Sequence, residues 1–227
     1  MGARLRKALG AALPIMLGYV SIGIPCGILE SQVGMAPWMC LLMSYVYYTG
    51  AGQFMIPNLW MAGTPLLSII ASTSFVNTRQ ILYSAAFSPY FGNENPVLSF
   101  FFSASVTDES FGVNLDRFEH DEGWDAATAT MVNYLSCSSW AFSNFAGALV
   151  GEALDVPTNL AAFAMTAIFV CLLVSRDFTP RVVAVVLVAG VSVYLCKLVG
   201  LGGASILVGA LAGVAVGVAL RERGDAA

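Results

Sequence analysis

The sequence predicts an all-α integral membrane protein of about eight transmembrane helices. Hydrophobic residues make up 58% of the 227 positions and charged residues only 11%, whereas soluble domains carry about 25% charged residues. The mean hydropathy is +0.77, and apolar runs of the length needed to cross a bilayer follow one another along the chain. Such a chain cannot cover a soluble surface with charge, so we expect a single polytopic domain over residues 1–227.

The predicted spans are separated by short segments rich in Gly, Pro and charged residues. They are residues 11–30, 38–62, 65–88, 96–114, 125–151, 157–175, 181–199 and 203–220. Polar residues interrupt the first, third and fourth spans, and a re-entrant segment among them would lower the count. The basic N-terminus resembles a signal peptide, but more apolar segments follow in place of a cleavage site and a soluble chain, so we interpret it as an uncleaved first span.

Basic residues predict the orientation, because cytoplasmic loops carry an excess of Lys and Arg. With the N-terminus inside, eight spans place Arg4, Arg6, Lys7, Arg117, Arg176, Arg181, Arg221 and Arg223 on the cytoplasmic side. The acidic residues Glu30, Glu94, Glu152 and Asp155 then face outside. Both termini are therefore predicted to lie in the cytoplasm, with the spans in the cytoplasmic (inner) membrane of a bacterium.

Several functional classes lack their motifs in this sequence. The five cysteines form no C-x-x-C pair and the only histidine, His120, lies in a charged segment, so we expect neither a metal site nor a cofactor. The formal net charge is −4 without a basic patch, which argues against a nucleic-acid partner. No Walker A, Gly-x-Ser-x-Gly or His-Glu-x-x-His motif is present, so an intramembrane enzyme is a weak alternative.

The first two spans contain helix-breaking and small residues. Pro25, two positions after Gly23, predicts either a packing kink or a discontinuous helix. In the second case the backbone groups left without helical hydrogen bonds would face a substrate. In the second span, Gly50 and Gly52 allow close approach of a ligand or of another helix. Gln53 beside them offers a hydrogen-bond donor and an acceptor without the cost of a charge.

Polar and ionisable side chains at membrane depth are costly, and by default they indicate a functional site. In the third span Asn77 belongs to a helical stripe, and Arg79 either snorkels to the interface or pairs with a carboxylate. In the fourth span Thr107, Asp108 and Glu109 stand between phenylalanine-rich segments. The two carboxylates point about 100° apart on a helix, so we expect one to bind a proton or an amine and the other to cap a broken helix, unless both are solvated.

Two of the later spans carry a stripe of similar residues along one helix face, polar in one span and small in the other. Asn144 lies on a polar stripe of the fifth span with Asn133, Ser136, Trp140 and Gly147. The last span places small residues at every fourth position, a pattern typical of helix packing in lipid: Ser205, Gly209, Gly213 and Gly217. The order of the spans also predicts an inverted repeat with interrupted helices, over residues 11–92 and 94–178, followed by two C-terminal helices.

The order of these motifs resembles the AzlC family of branched-chain amino acid permeases. The segments that carry the resemblance are Leu13–Pro14, Gly18–Tyr19, Tyr48–Phe54, Phe75–Tyr83 and Thr107–Phe111. Gln80 differs, since the family often has histidine at this step. The resemblance implies export of leucine, isoleucine, valine or related amino acids, driven by an ion gradient, together with a small membrane companion of the AzlD type. A channel or a carrier for another small solute is the alternative within transport.

Overall fold

The computed structural model describes residues 2–154, 178–200 and 204–225, together with six single positions between 163 and 174. Regular structure in these residues is entirely helical. The helices are α1 (Gly2–Gln32), α2 (Pro37–Val46), α3 (Gly50–Met61), α4 (Leu66–Ala86), α5 (Ser88–Phe91), α6 (Pro96–Ser103), α7 (Asp108–His120), α8 (Ala126–Ala153), α9 (Pro180–Leu198) and α10 (Ala204–Asp225). The predicted span at 157–175 lies almost wholly outside the described residues.

The helices correspond to the predicted spans in two ways. Helices α1, α4, α8, α9 and α10 each cover one predicted span, and two of them, α1 and α9, are long and apolar enough to cross a membrane. The predicted spans 38–62 and 96–114 are each two shorter helices separated by a few residues. These breaks fall in the second and fourth predicted spans. The inverted repeat stays a prediction, because part of its second unit lies outside the described residues.

Helix α1 is continuous through Pro14 and Pro25. Of the two alternatives at Pro25, a packing kink or a discontinuous helix, the second is therefore wrong. A proline inside a helix removes one backbone hydrogen bond and costs about 3 kcal/mol, and packing on both sides of the site outweighs this loss. Gly23 and Gly27, which flank Pro25, both lie directly against α8.

Helices α1 and α8 run parallel and in contact along most of their length. The pairs in contact, in order along both helices, are Arg4–Asp125, Met16–Ser139, Gly27–Ala148 and Ser31–Gly151. At the crossing the two backbones touch: a Cβ atom at Gly27 would lie 1.9 Å from the carbonyl oxygen of Asn144, and one at Gly147 would lie 2.1 Å from that of Ile24. Only glycine fits at these two positions.

Charged residues join the first turns of α1 to the α7–α8 loop. Arg4 Nη2 lies 2.5 Å from Asp125 Oδ2, and Lys7 Nζ lies 2.9 Å from Asp121. Lys7 also donates a hydrogen bond to the carbonyl oxygen of Gly123 and lies 5.6 Å from the centre of the Trp124 ring. The start of α1 and the α7–α8 loop are therefore at the same end of the bundle.

The C-terminal helices form a hairpin through the glycine stripe of α10. A Cβ atom at Gly209 would lie 2.4 Å from Val193 Cγ2, and one at Gly213 would lie 3.3 Å from the Cβ atom of Ala189. Gly217 continues the stripe opposite Val185. The partner of the stripe is thus α9 of the same chain.

We expect Gly27→Ala to destabilise the protein, because the added methyl group collides with the α8 backbone; overpacking of this kind costs about 1–3 kcal/mol. Gly18→Ala on the same helix is the matched control, since a Cβ atom there meets nothing within 4 Å. Thermal unfolding of both variants in detergent measures the difference. Equal midpoints for the two variants would contradict the backbone contact.

The second prediction concerns acid. The hydrogen bond from Lys7 holds the pKa of Asp121 below its ordinary value of 3.8. A carboxylate with a lowered folded-state pKa stabilises the protein above its unfolded pKa, and this stabilisation is lost as pH falls through the folded pKa. Asp121→Asn should therefore lower the unfolding midpoint at neutral pH, and this effect should shrink as pH falls below 3.8 through the folded-state pKa. The control is Glu122→Gln, an exposed neighbour, which should be neutral at both pH values.

Candidate functional site

The two helix breaks lie close together around Tyr19 of α1. The first break comprises residues 47–49, between α2 and α3, and the second residues 104–107, between α6 and α7. The rings of Tyr19 and Tyr48 meet edge to face with centroids 6.4 Å apart, and the Tyr19 hydroxyl lies 2.9 Å from Thr107 Oγ1. The N-terminal ends of two half-helices, α3 and α7, therefore meet at one place. Half-helix ends of this kind form the substrate and ion sites of many transporters.

The first break is held by side chains of α4. Thr49 is the N-cap of α3, and its hydroxyl accepts a hydrogen bond from the amide of Gly52 and donates one to Asn77 Oδ1 at 2.7 Å. Asn77 Nδ2 in turn donates to the Tyr47 hydroxyl at 2.6 Å. A Cβ atom at Gly52 would lie 2.7 Å from that hydroxyl, so glycine lets Tyr47 and Asn77 lie over the first turn of α3.

We expected Gly50 and Gly52 to lie within one long span, and the break before them was missed. A signal was present, because threonine is a favoured N-cap residue. Gly50 is half-buried at the first position of α3, and a Cβ atom built there would lie 3.9 Å from the Trp140 ring.

Gln53 is fully buried and makes three hydrogen bonds within the protein. Its amide nitrogen donates to Glu30 Oε1 at 2.7 Å and to Ser44 Oγ at 2.8 Å, and its oxygen accepts from Trp140 Nε1 at 2.8 Å. The amide therefore joins α1, α2, α3 and α8. Because its hydrogen-bonding groups are occupied by protein partners, Gln53 is placed to orient other residues.

Glu30 is completely buried against Gln53. We expected it on the outer side of the membrane with the other acidic residues, and that side stays a prediction. A carboxylate near the end of an apolar run commonly reaches water, whereas a neighbouring amide on another helix allows this one to be buried. Its second oxygen, Oε2, has no hydrogen-bond partner among the described residues.

The second break ends in a capping box. Thr107 is the N-cap of α7: its hydroxyl accepts from the Ser110 amide, and the Ser110 hydroxyl accepts from the Thr107 amide. Asp108 and Glu109 follow in the first turn, where negative charge interacts favourably with the helix dipole. On the opposite side Asn133 of α8 donates to Ser105 Oγ at 3.3 Å, so the break is held by α8 as well.

Arg79 of α4 forms an ion pair with Asp108 through Nη1 and Oδ2. The two side chains are 35% and 37% exposed, respectively, so this pair is half-buried and lies within reach of a solute. Of the two interpretations of Arg79, pairing with a carboxylate is the one the structure shows. Glu109 points elsewhere and accepts a hydrogen bond from Tyr19 at 2.7 Å. The two carboxylates thus have separate partners.

Gly23 and Asn144 lie apart from the breaks, in the contact between α1 and α8, and Pro25 lies in the same part of α1, two positions after Gly23. A Cβ atom at Gly23 would lie 2.7 Å from Ser143 Cβ. Asn144 is fully buried and donates to the carbonyl oxygen of Trp140 at 2.9 Å. The polar stripe of α8 faces the interior as a whole, since Asn133, Ser136, Trp140 and Asn144 all have 0–1% exposure. These buried residues belong to the helix packing that supports the two breaks.

A cavity of about 290 Å³ adjoins the second break and was not anticipated from the sequence. Serine hydroxyls and phenylalanine rings line it together: Ser84, Phe87, Ser88, Phe91, Gly92, Ser99, Phe102 and Ser103. Ser103 is the last residue of α6, directly before the break. Ser84 donates a hydrogen bond to its carbonyl oxygen, which ties α4 to α6. Mixed apolar and hydroxyl lining suits a small amphipathic solute.

Comparison with known proteins gives one consistent family. The chain matches the family model described as AzlC protein over residues 14–154, which contain both helix breaks. No solved structure matches the chain significantly.

Relatives occur in bacteria and archaea. An uncharacterised membrane protein of Helicobacter pylori is 31% identical over 172 residues, 75% of each chain. One of Archaeoglobus fulgidus is 28% identical over 215 residues, 93% of each chain. The branched-chain amino acid transport protein AzlC of Bacillus subtilis is 25% identical over 178 residues, 77% of this chain and 68% of that one. With a family model that covers more than half of its length and relatives at this identity, the chain is a membrane protein of the AzlC family.

Proposed function

We propose that the protein is a secondary transporter that exports branched-chain or similar small apolar amino acids across the cytoplasmic membrane. The observation that carries the proposal is the half-exposed Arg79–Asp108 pair at the point where two half-helices begin. A transporter, in contrast to an enzyme, needs only groups that bind and release a solute, and these residues are of that type.

An amino acid requires an anion partner, a cation partner and an apolar slot. Arg79 and the amide groups at the starts of α3 and α7 suit a carboxylate. Asp108 suits an ammonium group, and Glu109 lies beside it on the same turn. The phenylalanine-lined cavity next to the second break suits a branched side chain. The carboxylate and ammonium groups of the amino acid would thus pair with Arg79 and Asp108, respectively, in place of part of the ion pair between these residues. Both charges of the substrate would then have a partner of opposite sign.

The finer features of the proposal rest on the family. The Bacillus subtilis relative is named for branched-chain amino acid transport, and this supports the substrate class. We infer three further features from the resemblance of the motifs alone: outward direction, an ion gradient as the driving force and a small companion of the AzlD type. A transport assay of the chain with and without such a companion shows whether the companion is needed for transport.

We propose eight spans with both termini in the cytoplasm. The contacts of Arg4 and Lys7 with the α7–α8 loop support an even number of crossings between these two segments, because two segments at the same end of a bundle must be separated by an even number. The cytoplasmic side is assigned from the excess of basic residues. The second and fourth crossings are then the interrupted ones, α2–α3 and α6–α7.

We expect Asp108→Asn to reduce leucine transport in proteoliposomes by about tenfold or more, because a hydrogen bond to a charged group contributes about 1.5–3 kcal/mol. Arg79→Gln should have a similar effect, since it leaves Asp108 without its partner. Glu119→Gln, an exposed carboxylate at the far end of α7, is the matched control and should transport as the parent does. Parental transport by Asp108→Asn would sink the proposed site.

Topology is tested with single cysteines in a cysteine-free background. An impermeant thiol reagent applied to intact cells should modify Glu94→Cys, in the α5–α6 loop, and should leave Glu122→Cys unmodified until the membrane is permeabilised. Both positions are exposed, so accessibility depends on the side of the membrane alone. Labelling of Glu122→Cys in intact cells would reverse the proposed orientation.

A further inference from the structure

Glu30 is a buried carboxyl group that the proposed substrate site does not use. Its side chain is completely buried, and none of the ion pairs among the described residues includes it. One oxygen accepts from Gln53, and Oε2 has no hydrogen-bond partner in the described part of the chain. The second acidic position of interest, Asp108, differs because Arg79 compensates its charge.

The direction of the hydrogen bonds around Glu30 follows from Trp140. An indole N–H can only donate, so the Gln53 atom that faces it must be the amide oxygen, and the amide nitrogen must face Glu30. Gln53 therefore presents a donor to Glu30 Oε1, which can accept it either as a carboxylate oxygen or as the carbonyl oxygen of a carboxylic acid, more strongly in the first case. Addition of a proton at Oε2 leaves every hydrogen bond of Gln53 in place.

An unpaired carboxylate in an apolar interior is strongly disfavoured relative to the neutral acid, since only the charged form loses a large hydration energy. None of the titratable groups packed around Glu30 in the described part of the chain carries a positive charge. Those that face it are Cys26 on α1 and Cys40 on α2, whose thiol is a weak donor to the Glu30 carboxyl group. Glu152 of α8 lies within reach of Cys40. Gln53 of α3 and Trp140 of α8 are uncharged neighbours.

Glu30 lies at the opposite end of α1 from the contacts with the α7–α8 loop. It follows Lys7 by 23 positions, which is roughly 35 Å along a helix at about 1.5 Å per residue, close to the thickness of a bilayer core of about 30 Å. In the proposed topology this is the outer end. A proton that drives export enters from this side.

We propose that Glu30 is a proton-binding site of the transport cycle, neutral in the arrangement described here, with Gln53 and Trp140 as positioning residues. The step is transfer of a proton from a hydronium ion on the outer side to one carboxylate oxygen, which leaves water, and the reverse transfer to water on release. One O–H bond of the hydronium ion breaks and one O–H bond of the carboxyl group forms. This inference rests on the proposed ion-coupled transport and adds to it the identity of the ion and of its binding residue.

Infrared spectroscopy of the protein in liposomes tests proton binding without any substrate. The parent should show a carbonyl stretching band of a buried carboxylic acid at neutral pH, and Glu30→Gln should lack it. Glu30→Asp should move the band, which assigns it even where Glu30→Gln folds poorly. Glu94→Gln, a change in an exposed loop, should leave it unchanged. A parent without the band, or a band that persists unaltered in both Glu30 variants, would overturn the proposal.

Transport of radiolabelled leucine in proteoliposomes tests the role in coupling. Glu30→Gln should exchange leucine across the membrane at close to the parental rate and lose accumulation driven by a pH gradient. Accumulation by Glu30→Gln equal to that of the parent would refute the coupling role. If the parent itself does not move leucine, the proposed substrate class fails, while the infrared result still decides whether Glu30 binds a proton.

Discussion

The close parallel contact of α1 with α8 is the constraint on which the rest of the structure depends. Glycines at the crossing bring the two backbones into contact, so that neither Gly27 nor Gly147 has room for a Cβ atom. The contact includes residues before and after Pro25. It keeps α1 continuous at a proline that by itself would favour a kink or a break. In a lipid environment helices associate through such packing and through polar contacts between them. Because α1 and α8 are fixed against each other, they form the frame that holds the broken helices.

The aromatic and polar side chains that project from this frame reach both breaks. Tyr19 of α1 packs on Trp140 of α8 at 5.5 Å, and its hydroxyl contacts Thr107 and Glu109 at the start of α7. Trp140 donates to Gln53 in α3. Helix α4 closes the other side through Asn77 and Arg79. Each break thus receives hydrogen bonds from side chains of neighbouring helices, and irregular backbone at membrane depth depends on such partners.

The acidic residues of the interior fall into two electrostatic settings. Asp108 has a guanidinium partner and partial exposure, and this suits recognition of a zwitterion whose charges can take over the pair. Glu30 has one amide donor, no cation among the described residues and no exposure, and this suits a group whose charge is removed by a proton. In the proposed cycle, substrate and proton act on different carboxyl groups, and the Tyr19–Trp140–Gln53 cluster lies between them.

Composition and periodicity were enough to determine the all-helical membrane class and the interior face of α8. They also identified the polar residues of the third and fourth spans, because polar groups are costly in lipid and stand out in an apolar sequence. The start of α7 at Thr107–Asp108 was also foreseeable, from its capping residues. Pairings between distant segments were not: Arg79 with Asp108, Gln53 with Glu30, and α1 with α8. Whether Pro25 breaks a helix, or Glu30 meets water, depends on the energy of contacts with other helices, and only the tertiary structure decides those.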